Sequence, residues 1–248
     1  MNRLLIIPAA GRGSRLGSTG PKVLHPVAGR PMLDYLLDLY DGRVGQVVLV
    51  LHPSFADEVE RHCRERGTSV EVALQLEPTG MLPAILLARE HVVRHRPDHV
   101  WITWCDQIAV RPSTLDRLGV VADGLPRPAM TMPTVTKKDP YIHFVRDDRG
   151  VIRDVLQRRE GAVMPDVGEG DSGVFCLTRE AYLDDLELFA RGVARGAATG
   201  EANFLPFIPW LAGRKRIDTF PVEHESEAIG VNAPEDIDIL RRYLRARD

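Results

Sequence analysis

Leu4-Leu5-Ile6-Ile7-Pro8-Ala9-Ala10-Gly11-Arg12-Gly13-Ser14-Arg15-Leu16-Gly17-Ser18-Thr19-Gly20-Pro21-Lys22-Val23-Leu24 is the stretch that decides how the rest of the chain is read. The apolar run Leu4–Ile7 has the character of a buried strand, and the glycines and small residues after it describe a tight loop. Glycine lets a backbone come close to an anion, and successive N–H groups can then point at phosphate oxygens. Ala9, Ala10, Gly11 and Gly13 are the expected nucleotide-binding backbone, and Arg15 and Lys22 supply positive charge to the same loop. The stretch reads as a polyphosphate site with its own counter-charges.

Two familiar phosphate loops do not fit. A Walker loop needs lysine after its last glycine, and Gly17 is followed by Ser18. A Rossmann fingerprint needs a third glycine where Leu16 stands. Asp34 has the spacing of a ribose-binding acid, but Met32-Leu33-Asp34-Tyr35-Leu36-Leu37 reads as the first turn of a helix. A plain glycine-rich turn leaves the flanking Arg15 and Lys22 unexplained.

Downstream, strand-like and helix-like patterns alternate. Gln46–Leu51, Val70–Leu76 and His99–Trp104 read as strands. Helices are expected from a Ser54 cap to Gly67 and from Pro83 to Arg94. Such alternation implies a Rossmann-like, mostly parallel α/β sheet flanked by helices, with ligands beyond the carboxyl ends of the strands. The later runs Ala129–Val135, Tyr141–Arg146, Val151–Leu156 and Gly173–Leu177 are short and broken by Pro, Gly and charge. They read as a small, partly antiparallel extension over the acceptor. Helices return at Arg179–Ala190 and Leu205–Leu211, a strand at Arg216–Val222, and a last helix at Pro234–Arg247. The expectation is one domain, 1–248, with a nucleotide-binding half (1–125) and an acceptor-binding half (126–248).

Composition limits the partners. The 248 residues are 44% hydrophobic and 27% charged with net charge −3, which argues against nucleic acid or a membrane surface. No apolar run reaches the roughly 18 residues needed to span a bilayer, and Met1-Asn2-Arg3 leads at once into the first strand, so no signal peptide is expected. Cys63, Cys105 and Cys176 are odd in number and match no metal spacing, as expected of buried thiols in a cytoplasmic protein. A homo-oligomer remains open.

Ile6 to Leu37 resembles the signature of the sugar-1-phosphate nucleotidyltransferases, also called sugar-nucleotide pyrophosphorylases. Pro21-Lys22-Val23-Leu24-His25-Pro26-Val27-Ala28-Gly29-Arg30-Pro31-Met32 is especially similar to the uridylyltransferase part of bacterial N-acetylglucosamine-1-phosphate uridylyltransferases, without the acyltransferase domain that follows there. The resemblance implies a fold of the nucleotide-diphospho-sugar transferase type. It assigns the base to Gln75 and Gly80 in Gln75-Leu76-Glu77-Pro78-Thr79-Gly80, which is one residue shorter here. It assigns a metal, Mg²⁺, to Asp106 and to Asn232 of the glycine–valine–asparagine run, although Asn232 also suits a cap before Pro234. Independently, a lone carboxylate at the end of an apolar strand must be paired, hydrated or bound to a cation, and Mg²⁺ favours one or two protein oxygens with phosphate oxygens and water.

The acceptor segments depart from the family. Ile142 follows Tyr141 where glycine is usual, Gln157 and Arg159 replace glutamate and lysine, and Asp171 replaces asparagine. Tyr141, Gln157, Arg159 and Asp171 are the expected acceptor-binding residues, Arg159 keeping a charge for the acceptor's phosphate; His143 on the same strand is either a phosphate ligand or structural. The implied reaction joins a nucleoside triphosphate, with a pyrimidine base, to a phosphorylated sugar or alcohol and releases pyrophosphate. Lys22 would serve the α-phosphate and Arg15 the leaving pyrophosphate. The alternatives are a cytidylyltransferase for a non-sugar phosphorylated alcohol or phosphonate, and a non-catalytic nucleotide-binding regulatory module.

Overall fold

Residues 2–13, 16–17 and 20–247 are described by the computed structural model. In chain order they form β1 (Arg3–Pro8), β2 (Pro26–Val27), β3 (Arg30–Pro31), α1 (Met32–Tyr40), β4 (Gln46–Leu51), α2 (Pro53–Glu65), β5 (Glu71–Leu74), α3 (Met81–Leu86), α4 (Arg89–His95), β6 (His99–Thr103) and α5 (Pro112–Ala122). There follow β7 (Met130–Lys138), β8 (Ile142–Arg146), β9 (Ile152–Gln157), β10 (Val167–Asp171), β11 (Val174–Thr178), α6 (Leu186–Gly192), α7 (Phe207–Ala212), β12 (Ile217–Pro221) and α8 (Pro234–Arg247).

An eight-stranded sheet runs β10-β7-β11-β6-β1-β4-β5, with β12 also paired to β7. β1, β4, β5 and β6 are parallel neighbours. Leu4, Leu5, Ile6 and Ile7 are fully buried, Leu5 and Ile7 facing one helical layer and Leu4 and Ile6 the other. Burying such a side chain contributes about 1.5–3 kcal/mol. The first layer holds α1, α2, α5 and α8; the second holds α3, α4, α6 and α7. The three cysteines are free and buried. Burial raises their thiols, Cys63 to about 11 and Cys105 to about 12.

Several expectations need correction. α2 is capped by the imidazole of His52, which accepts from the Ser54 N–H at 3.1 Å, and not by Ser54. The expected Pro83–Arg94 helix is two helices, α3 and α4, joined at Ala88 with no glycine or proline to announce the break. The second-half strands are mostly part of the main sheet. β11 is antiparallel to both β6 and β7, so β7 and β12 run in the direction of β1. β2 and β3 form a further two-stranded sheet; of the second-half strands only the antiparallel β8–β9 pair stands apart, as the small extension expected from the sequence. Arg146 ties it down through two 2.7 Å bonds to the Glu169 carboxylate on β10.

β10 and β11 are nearly one strand with a bulge. Between the pairs Asp171↔Thr134 and Cys176↔Thr131 one strand advances five residues and the other three. A bulge of this kind bends the strand and re-aims side chains. Gly173 takes φ +76 inside it, and a Cβ there would lie 2.8 Å from Trp104 Cδ1.

Glu227 anchors the return from β12 to α8. It is fully buried, and its carboxyl oxygens accept from Arg111 N (3.0 Å), Thr114 Oγ1 (2.5 Å), Glu223 N (3.2 Å) and His224 N (3.1 Å). Each buried donor left unsatisfied costs about 1–3 kcal/mol. Glu227→Leu is therefore expected to lower unfolding free energy in urea by at least about 3 kcal/mol; a loss under about 1 kcal/mol would show that these bonds are replaceable by water.

Candidate active site

The register Leu4↔Val100 to Ile6↔Ile102 sets the ends of β1 and β6 side by side. The chain leaving β1 returns at Lys22, whose N–H bonds to Gly11 O at 3.0 Å. Gly13, at φ +66, lies behind that lysine, where a Cβ would come within 3.2 Å of Lys22 Cα. Lys22 Nζ donates to Asp106 Oδ2 at 2.5 Å and to Asn232 Oδ1 at 3.0 Å. Asp106 is 8% exposed. The Asn232 side chain does not cap α8. Asp236 accepts the Asn232 and Ala233 N–H groups, both at 2.8 Å, and leaves the amide of Asn232 turned toward Lys22. Gly230 completes the contact: a Cβ there would lie 3.2 Å from both Asp106 Cγ and Asn232 Nδ2.

These groups form one wall of a cleft of about 690 Å³. Ala10, Gly11, Lys22, Asp106, Asn232, Gln75, Gly80, Tyr141, Gln157, Arg159 and Asp171 all line it. Ala9 does not; its N–H continues the sheet to Val50 O at 2.8 Å. Gly13 supports Lys22 from behind. Arg15 lies outside the described residues. Asp34 pairs with His62 on α2 at 2.7 Å, which accounts for it without a ribose.

Gln75 is 8% exposed, and its Nε2 donates to Gly80 O at 3.3 Å. Gly80, at φ +123, has no room for a side chain, since a Cβ would lie 2.7 Å from the Ala202 nitrogen. Arg159 Nη2 meets Glu201 Oε1 at 2.6 Å, one residue before Ala202. Burial pushes the Asp171 carboxyl above its usual range, against the Gly173 and Asp171 N–H groups, the Lys137 charge and a bond from Trp104. His143 is structural, its Nδ1 accepting the Glu169 N–H at 3.1 Å.

Residues 5–171 match the MobA-like NTP transferase domain. The chain belongs to this family. Among similar curated proteins, the bifunctional protein GlmU of Kineococcus radiotolerans is 32% identical over 92% of this chain and 46% of its own length. GlmU of Enterococcus faecalis is 30% identical over 93% of this chain and 49% of its own, and that of Pelotomaculum thermopropionicum 28% over 100% and 53%. The chain spans about half the length of the curated relatives it matches. As a MobA-like NTP transferase it is a nucleotidyltransferase, with the mostly parallel sheet of that fold.

The NTP transferase cleft also contains residues that the motif reading missed. Trp104, Gln107, Lys137, Glu201 and Asn203 line it. Glu201 and Asn203 lie in a segment, 196–203, that Glu160 holds from outside the cleft. Glu160 accepts from Thr199 Oγ1 (2.6 Å), Asn203 Nδ2 (2.9 Å), Ala198 N (3.0 Å) and Thr199 N (3.3 Å). Its signal in the sequence was only its place after Arg159. Those donors, Thr199 and Asn203 first, lower its carboxyl from 4.5 to about 2. A depressed carboxyl stabilises the fold above the unfolded value, and that stability is lost as pH falls through the folded value. Glu160→Gln should therefore lower Tm at neutral pH, with a gap to wild type that narrows as pH falls below 4.5 toward 2. A gap that stays constant from pH 7 to pH 3.5 would count against Glu160 as the anchor.

Proposed function

We propose that the chain transfers the nucleotidyl group of a pyrimidine nucleoside triphosphate to the phosphate of a small phosphorylated sugar or alcohol, releasing pyrophosphate, with Mg²⁺ as cofactor. The observation that carries this reading is the cation site in the cleft, where the Asp106 carboxylate and the Asn232 carbonyl oxygen converge on one ammonium, Lys22 Nζ. Gln75 and the Arg159 segment line the same cleft.

The donors suit Mg²⁺. Among the described residues no three His, Cys, Asp or Glu side chains gather to hold a metal. Two hard oxygens at a polyphosphate site are the set Mg²⁺ takes when phosphates and water complete its shell. Bound on Asp106 and Asn232, it would neutralise phosphate charge. The attacking phosphate monoester has a second pKa of about 6 and is already mostly dianionic at neutral pH, so no general base is required. Lys22 meets charge at the α-phosphate and Arg15 meets the departing pyrophosphate. Gln75, with one N–H engaged by Gly80, keeps a carbonyl and a second N–H for the paired donor and acceptor edge of a pyrimidine.

The resemblance to sugar-1-phosphate nucleotidyltransferases supports a sugar acceptor. Ile142, Gln157 and Asp171 speak against N-acetylglucosamine 1-phosphate as the best one, because each neutral hydrogen bond lost is worth about 0.5–1.5 kcal/mol. The same three residues favour a second reading, a cytidylyltransferase acting on a non-sugar phosphorylated alcohol.

Pyrophosphate release from the four ribonucleotides and dTTP, against a panel of phosphorylated sugars and alcohols, tests the assignment. UTP, dTTP or CTP should outpace ATP and GTP, and N-acetylglucosamine 1-phosphate should be a poor acceptor; preference for a purine refutes the role of Gln75. Asp106→Ala should lower turnover by about 10²–10³, as for loss of one preorganised electrostatic group. Lys22→Ala should lower kcat more than nucleotide affinity, because only interactions stronger in the transition state raise kcat. Normal kcat in that variant removes Lys22 from the chemistry.

A further inference from the structure

We propose that Lys137, a residue outside the family motifs, is a binding residue of this cleft and the cation that receives the acceptor's phosphate. The inference rests on the reading above in one respect, that the acceptor is phosphorylated.

Among the described residues three cations line the cleft: Lys22, Lys137 and Arg159. Lys22 is paired with Asp106, and Arg159 with Glu201. Lys137 makes no ion pair with a described carboxylate. Its Nζ donates to a neutral group, the Ala228 carbonyl, at 2.8 Å. An ammonium has three donors, so two remain for a ligand. A cation withdrawn from water needs a counter-charge, and none of the flanking acids reaches it. Asp171 is turned to the Gly173 N–H and Trp104. Asp236 is turned to the backbone of Asn232 and Ala233. Burial accordingly pulls the Lys137 ammonium below the usual lysine range, with Glu225, Asp171 and Asp236 opposing from a distance.

Position supports the assignment. Lys137 is near the carboxyl end of β7, on the sheet edge that carries Asp106. Its carbonyl partner, Ala228, belongs to the segment that continues through Gly230 to Asn232. The ammonium therefore rests on the segment that leads to Asn232, with Asp171 within electrostatic reach, in the same cleft as the cation site. Arg159 is less well suited. Its side chain is 41% exposed, and a phosphate there has to displace the Glu201 carboxylate.

The test uses the full chain with Lys137→Met, Lys137→Arg and Arg159→Met, each first shown to keep the wild-type Tm and circular dichroism. With the best acceptor from the pyrophosphate-release panel, Lys137→Met should raise acceptor KM tenfold or more. KM for the triphosphate and the Mg²⁺ concentration for half-maximal rate should stay within twofold, and Lys137→Arg should recover part of the loss. Unchanged acceptor KM overturns the proposal. So does a rise confined to Mg²⁺ and triphosphate requirements, which would make Lys137 a strut for the Asn232 segment.

A second arm is independent of turnover. Inorganic phosphate is titrated by calorimetry into protein saturated with Mg²⁺ and the α,β-methylene analogue of its tightest-binding triphosphate. Binding that is lost in Lys137→Met and kept in Arg159→Met supports the proposal. Absent binding in the wild type, or equal binding in Lys137→Met, overturns it. Phosphate binding without any pyrophosphate release would count against the transfer reaction and leave Lys137 standing.

Discussion

One ammonium group joins three distant parts of this chain. Lys22 meets Asp106, 84 positions away, and Asn232, 210 positions away. An acid buried at the end of an apolar strand needs a partner, and an unpaired charge there would cost on the order of several kcal/mol. The cleft is arranged around meeting that need. The β1–β6 pairing brings the first loop to Asp106. Glu227 and Asp236 set the late segment against it. Gly13 and Gly230 keep the approaches open, since a side chain at either position would press on Lys22 or Asp106.

The parallel core was legible because each central strand is apolar on both faces and is followed by a helix with one apolar side. That same two-sided burial hides other information. When Leu4 through Ile7 are all buried, alternation cannot say which residue faces which helical layer. It also cannot give strand direction. β7 looks like a broken strand of an antiparallel annex, yet it extends the main sheet in the direction of β1. The bulge at Ser172–Gly173 lets β10 and β11 share β7 as their partner. The break between α3 and α4 was unreadable because a distant group meets the end of α3, Tyr182 Oη donating to Ile85 O at 2.7 Å, and the His52 cap because histidine is not among the usual capping residues.

The sequence brought most of the cleft's lining residues together, but it marked the loop after β1 more plainly than the far segments, and the cause is how each is assembled. The loop from Ala10 to Lys22 is contiguous, and its phosphate chemistry is written in adjacent residues. The proposed acceptor side draws Tyr141, Gln157, Arg159, Asp171, Glu201 and Asn203 from separate segments. Glu160 and Lys137 carried no motif. One is a charged residue after a charged residue, and the other is the first of two lysines at a strand end. Only the folded chain distinguishes a carboxylate holding four donors, or an ammonium resting on a lone carbonyl, from ordinary solvated charge.

The two walls of the cleft are nevertheless one piece. The segment 196–203 is knotted to Glu160 beside Arg159, and its Ala202 bonds across to the residues flanking Gly80, N–H to Thr79 O at 2.9 Å and C=O to Leu82 N at 3.1 Å. Gly80 is shaped by that crossing, because the Ala202 backbone fills the place of a side chain. A reaction between two phosphate-bearing molecules gains most when both are held in one fixed geometry, since positioning rather than proton transfer is the main demand. A strap bonded to both subsites meets that demand more directly than two independently folded halves would. It also means that changes on the acceptor side, such as Asn203 or Glu201, act on the backbone that frames Gln75 and Gly80. If Gln75 reads the base and the Arg159 segment holds the acceptor, as proposed, the two preferences are mechanically linked through the short run of residues that contacts both segments.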